Sequence, residues 1–85
     1  MWYVYILKSK KSEAIYIGST NNIKRRLTEH NQGLNSSTKT YVPWELEAYI
    51  ALSTEQKARE LEKYFKMGSG KAILKRRILS DEALA

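Results

Sequence analysis

The chain has 85 residues, no cysteine and a formal charge of +6, from 15 Lys and Arg against 9 Asp and Glu. That length gives a single domain over residues 1–85, whose one core buries about 60 to 65% of the unfolded surface. The lack of cysteine excludes disulfides and thiolate zinc sites. The positive charge is clustered at Lys8, Lys10 and Lys11, at Lys24 to Arg26 and at Lys71 to Arg77, which points to nucleic acid rather than to a merely solvated surface. No helix pairs a basic face with a large exposed aromatic face, so no membrane contact is expected. Trp2 to Leu7 lacks the basic leader and long apolar stretch of a signal peptide, so a soluble cytoplasmic protein is expected.

In chain order, Tyr3 to Leu7 and Ala14 to Ile17 are rich in β-branched and aromatic residues, with polar Lys8 to Glu13 between them, and predict a hairpin. A turn symmetric about Ser9 to Ser12 sets Tyr5 directly opposite Tyr16, about 5 Å away, and Gly18 opposite Tyr3 at the strand end. Val4, Ile6, Ile15 and Ile17 then form one apolar side, and Tyr3, Tyr5, Leu7, Ala14 and Tyr16 the other. Thr20 or Asn21 is the expected N-cap of a helix to about Gln32, with Gly33 as its stop. Leu34 to Val42 reads as a polar loop, Glu45 to Leu52 as a third strand, and Ser53 to Gln56 as the capping box of a helix to about Met67. Gly68-Ser69-Gly70 breaks that helix, and Ser69 is the expected cap of a third, with Ala72, Ile73, Leu74, Ile78 and Leu79 as its apolar residues. About residue 80 onward is expected to be a frayed tail. The fold class is α+β, a three-stranded antiparallel sheet flanked by three helices in the order β-β-α-β-α-α.

On the first helix, at 100° per residue from Ile23, Leu27 and His30 fall within about 40°, Arg26 lies about 60° to one side, and Arg25 points away at about 200°. Arg25 is therefore free to pair with Glu29, whereas Arg26, at the edge of the buried stripe, needs an acceptor, either a protein carboxylate or a ligand phosphate held as a two-pronged fork. On the second helix Glu62 sits inside the stripe Ala58, Leu61 and Phe65, so its carboxylate wants a cation, with Lys66, Arg26 and a divalent metal as candidates. His30 is either a satisfied core residue, a phosphate contact or a proton relay. The tyrosine pair either stabilises a hairpin or shares in chemistry. Gly68-Ser69-Gly70-Lys71 lacks P-loop spacing and reads as a cap, with a phosphate nest as the lesser alternative.

Together these residues resemble the GIY-YIG nuclease family over essentially the whole chain. Tyr3-Val4-Tyr5 stands for the first motif and Tyr16-Ile17-Gly18 for the second, Arg26 and His30 follow on the helix, and Glu62 falls at the family's metal-binding glutamate. The layout is similar to the small stand-alone bacterial members and to the catalytic module of Slx-type nucleases, whose stretch before the third strand resembles Thr40 to Leu46. Two departures stand out. Tyr3 replaces the glycine of the first motif, and Ser19 stands where excision-repair members carry a lysine.

The resemblance implies a DNA-repair type of endonuclease that hydrolyses a phosphodiester with water and one divalent ion, Mg2+ or Mn2+. Tyr5 or Tyr16 would orient or deprotonate the water, Glu62 would hold the metal, Arg26 would stabilise charge on the phosphorus, and His30 would assist. A free tyrosine has a pKa near 10, so a tyrosine base needs a nearby cation. Lys24, Arg25, Lys39, Lys71, Lys75 and Arg76 are the expected nucleic-acid contacts, DNA ahead of RNA. The alternatives are a binding module without catalysis, a nuclease subunit whose protein partner supplies specificity, and an interaction protein docking through an exposed Trp44 or Trp2.

Overall fold

The computed structural model describes residues 1–79. The expected tail from about residue 80 lies outside them. Three strands form one antiparallel sheet: β1 (Trp2–Ser9), β2 (Ile15–Thr20) and β3 (Trp44–Leu52), in the order β2-β1-β3. Three α-helices accompany them: α1 (Ile23–Asn31), α2 (Glu55–Phe65) and α3 (Gly68–Ile73), the last running on into wider π-type turns over Leu74–Leu79. The sheet is sandwiched, as the alternation of its central strand requires. Val4 and Ile6 are buried with Ala58, Phe65 and Leu74 on the α2 and α3 side, while Tyr5 and Leu7 are buried with Trp44 on the α1 side, flanked by Ile23 and Leu27.

The hairpin register differs from the expected one by two residues. Tyr5 faces Gly18, and Tyr16 faces Leu7. A two-residue loop at Lys10-Lys11 would need positive φ in residues that resist it. The chain instead closes a longer loop with Ser9 N–H donating to the Ala14 carbonyl at 3.0 Å, and among the described residues none other than glycine has a positive φ. Ser9 Oγ accepts from Lys11 N–H and Ser12 Oγ from Ala14 N–H, which satisfies the loop backbone. One consequence is that Ile15 pairs with Lys8 and lies at the exposed end of the apolar side it shares with Ile17.

Gly18 accordingly does not end β2, which runs on to Thr20. It sits in mid-strand beneath the Tyr5 phenol, and a β-carbon there would lie 2.5 Å from the Tyr5 hydroxyl oxygen. The N-cap of α1 is Asn22, not Thr20 or Asn21. Its Oδ1 accepts from Arg25 N–H at 3.0 Å, while Thr20 is a buried strand residue whose Oγ1 accepts from Asn22 N–H. Gly33, at φ +76°, takes the left-handed turn past the helix end.

The Leu34 to Val42 loop contains a 3-10 turn over Lys39–Tyr41. Thr54 caps α2 through Lys57 N–H, and the helix stops at Phe65, earlier than Met67. α3 starts at Gly68 with Met67 in the cap position, so Ser69 lies inside its first turn and is not the cap. Of its expected apolar residues Leu74 is buried and Ile78 and Leu79 pack against the core, but Ala72 and Ile73 are exposed.

Candidate active site

Strand β2, at the edge of the sheet, carries side chains to both faces, and the candidate residues gather around it. On the α1 face, Tyr5 and Tyr16 are diagonal neighbours with ring centroids 6.2 Å apart, and each is close to the His30 ring, at 5.9 and 4.8 Å. His30 has no exposed surface. Its Nε2 is 3.0 Å from the Tyr5 hydroxyl and its Nδ1 is 2.8 Å from Thr38 Oγ1. Thr38 Oγ1 also reaches the Asn35 carbonyl at 3.4 Å.

One assignment of protons uses every group in this chain. The Thr38 hydroxyl donates to Asn35, the His30 Nδ1–H donates to Thr38, and the Tyr5 hydroxyl donates to the bare Nε2. Two displaced pKa values agree with it. Burial first, and then the charge of Arg26, hold the His30 imidazole below its usual 6.5 and therefore neutral. Burial, and next the neighbouring Tyr16, push Tyr5 up to about 12 despite an opposing pull from Arg26. Among the described residues no buried side-chain nitrogen or oxygen lacks a hydrogen-bond partner.

Arg26 finds its acceptor on its own helix. Its Nη1 donates to Glu29 Oε1 at 3.0 Å, and Arg25 makes the expected i,i+4 ion pair with the other oxygen of the same carboxylate at the longer distance of 4.0 Å. The helix phase holds, with the Arg26 side chain 32% and that of Arg25 60% exposed. The bond to Glu29, and after it the nearby Tyr5, hold the Arg26 guanidinium charged against the cost of burial, and the fork has further N–H groups for a ligand.

On the opposite face of the sheet, Glu62 finds its cation in Lys66, whose Nζ donates to Oε2 at 2.7 Å, and Ser19 Oγ donates to Oε1 at 2.6 Å. Burial works to raise the Glu62 pKa, but the bonds from Lys66 and Ser19 and the charges of Lys66 and Arg59 together outweigh it, so the carboxyl lies below its usual range and is ionised at neutral pH. Lys66 also lies over the Tyr16 ring, 5.9 Å from its centroid, and so connects the two faces around the edge of β2.

No group of three or more His, Cys, Asp or Glu side chains that could hold a metal ion occurs among the described residues. The donor present is one ionised carboxylate whose side chain is 23% exposed. That set fits Mg2+ or Mn2+ in the manner of sites that keep several waters and take further oxygens from a substrate phosphate. Glu62 would hold such an ion at the oxygen now occupied by Lys66.

The residues expected to contact nucleic acid divide into groups. Lys71 and Lys75 line, with Tyr16, Lys66 and Glu13, a cavity of about 440 Å3 beside the site. Lys24 and Arg25 are on the exposed face of α1, Lys39 is in the 3-10 turn, and Arg76 is exposed on the C-terminal turns outside that cavity. Trp44 is not exposed. It is buried with Nε1–H donating to the Thr38 carbonyl at 2.9 Å, which removes it as a docking residue, and Trp2 is half-buried under Arg59.

Sequence reasoning missed Thr38 as the support of His30 and Ser19 as a partner of Glu62. Neither spacing carries a signal, since one contact spans a loop and the other links a strand to a helix 43 positions away.

A half-buried tyrosine, a neutral histidine and a charged arginine thus gather on one side of an edge strand of an α+β sheet, with an ionised glutamate around the corner. The model of the GIY-YIG catalytic domain matches residues 1–77, so the chain belongs to the GIY-YIG family. Among curated relatives, a UPF0213 protein of Bacillus licheniformis is 39% identical over 70 residues, covering 81% of this chain and 71% of that protein. A UPF0213 protein of Streptococcus agalactiae is 33% identical over 73 residues, covering 85% and 82% respectively. A solution NMR structure of a UPF0213 protein of Bacillus halodurans is similar at 31% identity and a TM-score of 0.49, covering 85% of this chain and 79% of that one. No helix among the described residues is long and apolar enough to cross a membrane.

Proposed function

We propose that this protein is an endonuclease that hydrolyses phosphodiester bonds of nucleic acid, DNA ahead of RNA, with one bound Mg2+ or Mn2+. The observation that carries the reading is the contiguity of Tyr16, Lys66 and Glu62 around the edge of β2, backed by the buried Tyr5, His30 and Thr38 network. Bound at Glu62, the ion supplies a counter-charge for the phosphate and the leaving oxygen.

The two tyrosines have different environments and so different roles. Tyr5, with its pKa at about 12 and its hydroxyl engaged by His30, keeps its proton and orients the site. Tyr16 is only half-buried, has Lys66 over its ring, and accepts or directs the proton of the attacking water. Arg26 turns its free N–H groups to the phosphate and opposes the charge that builds there. His30, neutral and locked at both nitrogens, fixes Tyr5 and packs against Tyr16.

The occupation of Glu62 by Lys66 favours one alternative, a module that binds nucleic acid without cutting it or cuts only when a partner frees that carboxylate. Purified protein incubated with labelled single-stranded, duplex and branched DNA and with RNA, in Mg2+ or Mn2+ against EDTA, decides between them. Metal-dependent cutting lost in Glu62→Ala supports the nuclease. Binding that is salt-dependent but never productive, and indifferent to Glu62→Ala, overturns it in favour of the module.

A further inference from the structure

Away from β2, on the β3 side of the same sheet face, a groove of about 530 Å3 opens between the first turn of α1 and the sheet. Its floor is aromatic. Tyr3 and Tyr49 meet edge to face with centroids 5.9 Å apart, and Leu46 extends the apolar surface along β3. Its rim is Asn21, Asn22 and Lys24, and none of the residues lining it is acidic. Tyr49 is 55% exposed, an unusual state for a ring that pairs across the strand with the buried Tyr5. Tyr3 is the residue that departs from the first motif of the family, and the catalytic reading above gives it no task.

We infer that this groove holds an unstacked nucleotide of a single-stranded segment, with the base against Tyr49 and Tyr3 and the adjoining phosphate near Lys24. The inference rests on the nucleic-acid reading above and names the form of substrate it takes. Exposed aromatic faces beside a cation are how sequence-tolerant sites hold single strands, because every base has a face to stack and every linkage has a charge. Side-chain amides at the rim suit base edges, and Arg25, bonded to Asn21 Oδ1 at 3.4 Å, adds a second cation nearby. A second copy of the chain is a poor occupant, since it would set Lys24 and a formal charge of +6 against another +6. The groove also lies within reach of the site. Tyr49 on β3 pairs with Tyr5 on β1, and Tyr16 on β2 is the diagonal neighbour of Tyr5, so Tyr49 and Tyr16 stand two strand spacings apart and two residues offset, roughly 12 Å, a span that two or three nucleotides of one strand cover.

The test is fluorescence anisotropy in EDTA with a labelled oligothymidylate and with a labelled blunt duplex, using wild type, Tyr49→Ala, Tyr49→Leu and Tyr49→Phe. Leucine keeps apolar bulk on the strand and removes the π face, so it separates stacking from folding, and circular dichroism checks all three variants. Tyr49→Ala and Tyr49→Leu are expected to weaken oligothymidylate binding by about 5- to 150-fold, the worth of one base stacked on an aromatic ring. Tyr49→Phe is expected to bind as wild type, and the duplex to be affected far less than the single strand. Unchanged oligothymidylate binding in the alanine and leucine variants, an equal loss on both substrates, or a Tyr49-dependent dimer in sedimentation without any change in nucleic-acid binding would each overturn the inference. Cutting by wild type in Mg2+, measured alongside, separates the two readings. Cutting with Tyr49-independent binding sinks this one alone, and Tyr49-dependent binding without cutting sinks only the nuclease.

Discussion

His30 is the only histidine in the chain, so its ring can be watched without ambiguity while its support is removed by Thr38→Val. Valine has nearly the shape of threonine, and the substitution deletes one hydroxyl, the partner of His30 Nδ1 at 2.8 Å. The Thr38 carbonyl that accepts from Trp44 Nε1 is backbone and stays in place. Because His30 is wholly buried, water cannot replace the lost partner, and an unpaired buried polar group costs about 1–3 kcal/mol. For a domain of this size about 2 kcal/mol lowers the melting temperature by roughly 8–16 °C. Thr38→Ser, which keeps the hydroxyl, should lose much less.

Ring nitrogen NMR supplies the second readout. The wild-type imidazole should be the Nδ1–H tautomer and should titrate below the usual 6.5, since burial and then Arg26 disfavour its charge. The native state then binds fewer protons than the unfolded chain just below that pH. Stability should therefore be flat above about 6.5 and fall as the pH drops, by at most about 1.4 kcal/mol per pH unit, until the native-state pKa is passed. Glu62 acts in a separate window. Its pKa is depressed from 4.5, so its contribution is complete above that value and is lost as the pH falls through the lower native one. A melting shift under about 2 °C for Thr38→Val, well short of what 1 kcal/mol produces, would refute the hydrogen-bond assignment. So would a wild-type Nε2–H tautomer or a His30 midpoint above 6.5.

Arg26→Ala should lower the turnover number for Mg2+-dependent cleavage by about 100- to 1,000-fold, as expected for one group that stabilises transition-state charge, and Glu62→Ala should abolish cleavage. Both should keep a native circular dichroism spectrum, and Arg25→Ala, on the exposed face, should retain most of the activity. If Arg25 proved the more damaging of the two arginines, the roles assigned on α1 would be wrong. Tyr16→Phe should lose more of the chemical step than Tyr5→Phe in single-turnover cleavage, and the reverse order would give the proton-accepting role to Tyr5. Gly18→Ala should destabilise by about 1–3 kcal/mol in thermal melts, because its new methyl would meet the Tyr5 hydroxyl oxygen at 2.5 Å.

Much of the fold was legible because it follows from pattern. Alternation in Tyr3 to Leu7 identified both faces of the central strand, and the angular position of Arg26 against Arg25 predicted which guanidinium is more shielded. The placement of Glu62 in an apolar stripe announced a cation, and the nearest one, a turn along the same helix, is the one it has. Helix ends were less legible. Thr20, Asn21 and Asn22 are all good caps, and the choice fell to Asn22 because β2 continues through Thr20 and consumes it. Thr38 left no trace in the sequence, since its contact with His30 depends on how the loop after α1 folds back.

The hairpin register carries the sharper lesson. Judged by symmetry, Tyr5 opposes Tyr16, and the tyrosine pair looks like the purpose of the hairpin. With the longer loop actually used, Tyr5 opposes Gly18. A displacement of two residues keeps every side chain on its own face, which is why Tyr5 and Tyr16 still share one side of the sheet although they are no longer opposite. It also gives the glycine of the second motif a physical task. Only a residue without a β-carbon lets the Tyr5 phenol lie flat across β2, and from there its hydroxyl reaches His30. The glycine and the first-motif tyrosine are thus one device, read as two separate features so long as the loop length was taken from symmetry rather than from the backbone angles that Lys10 and Lys11 can adopt.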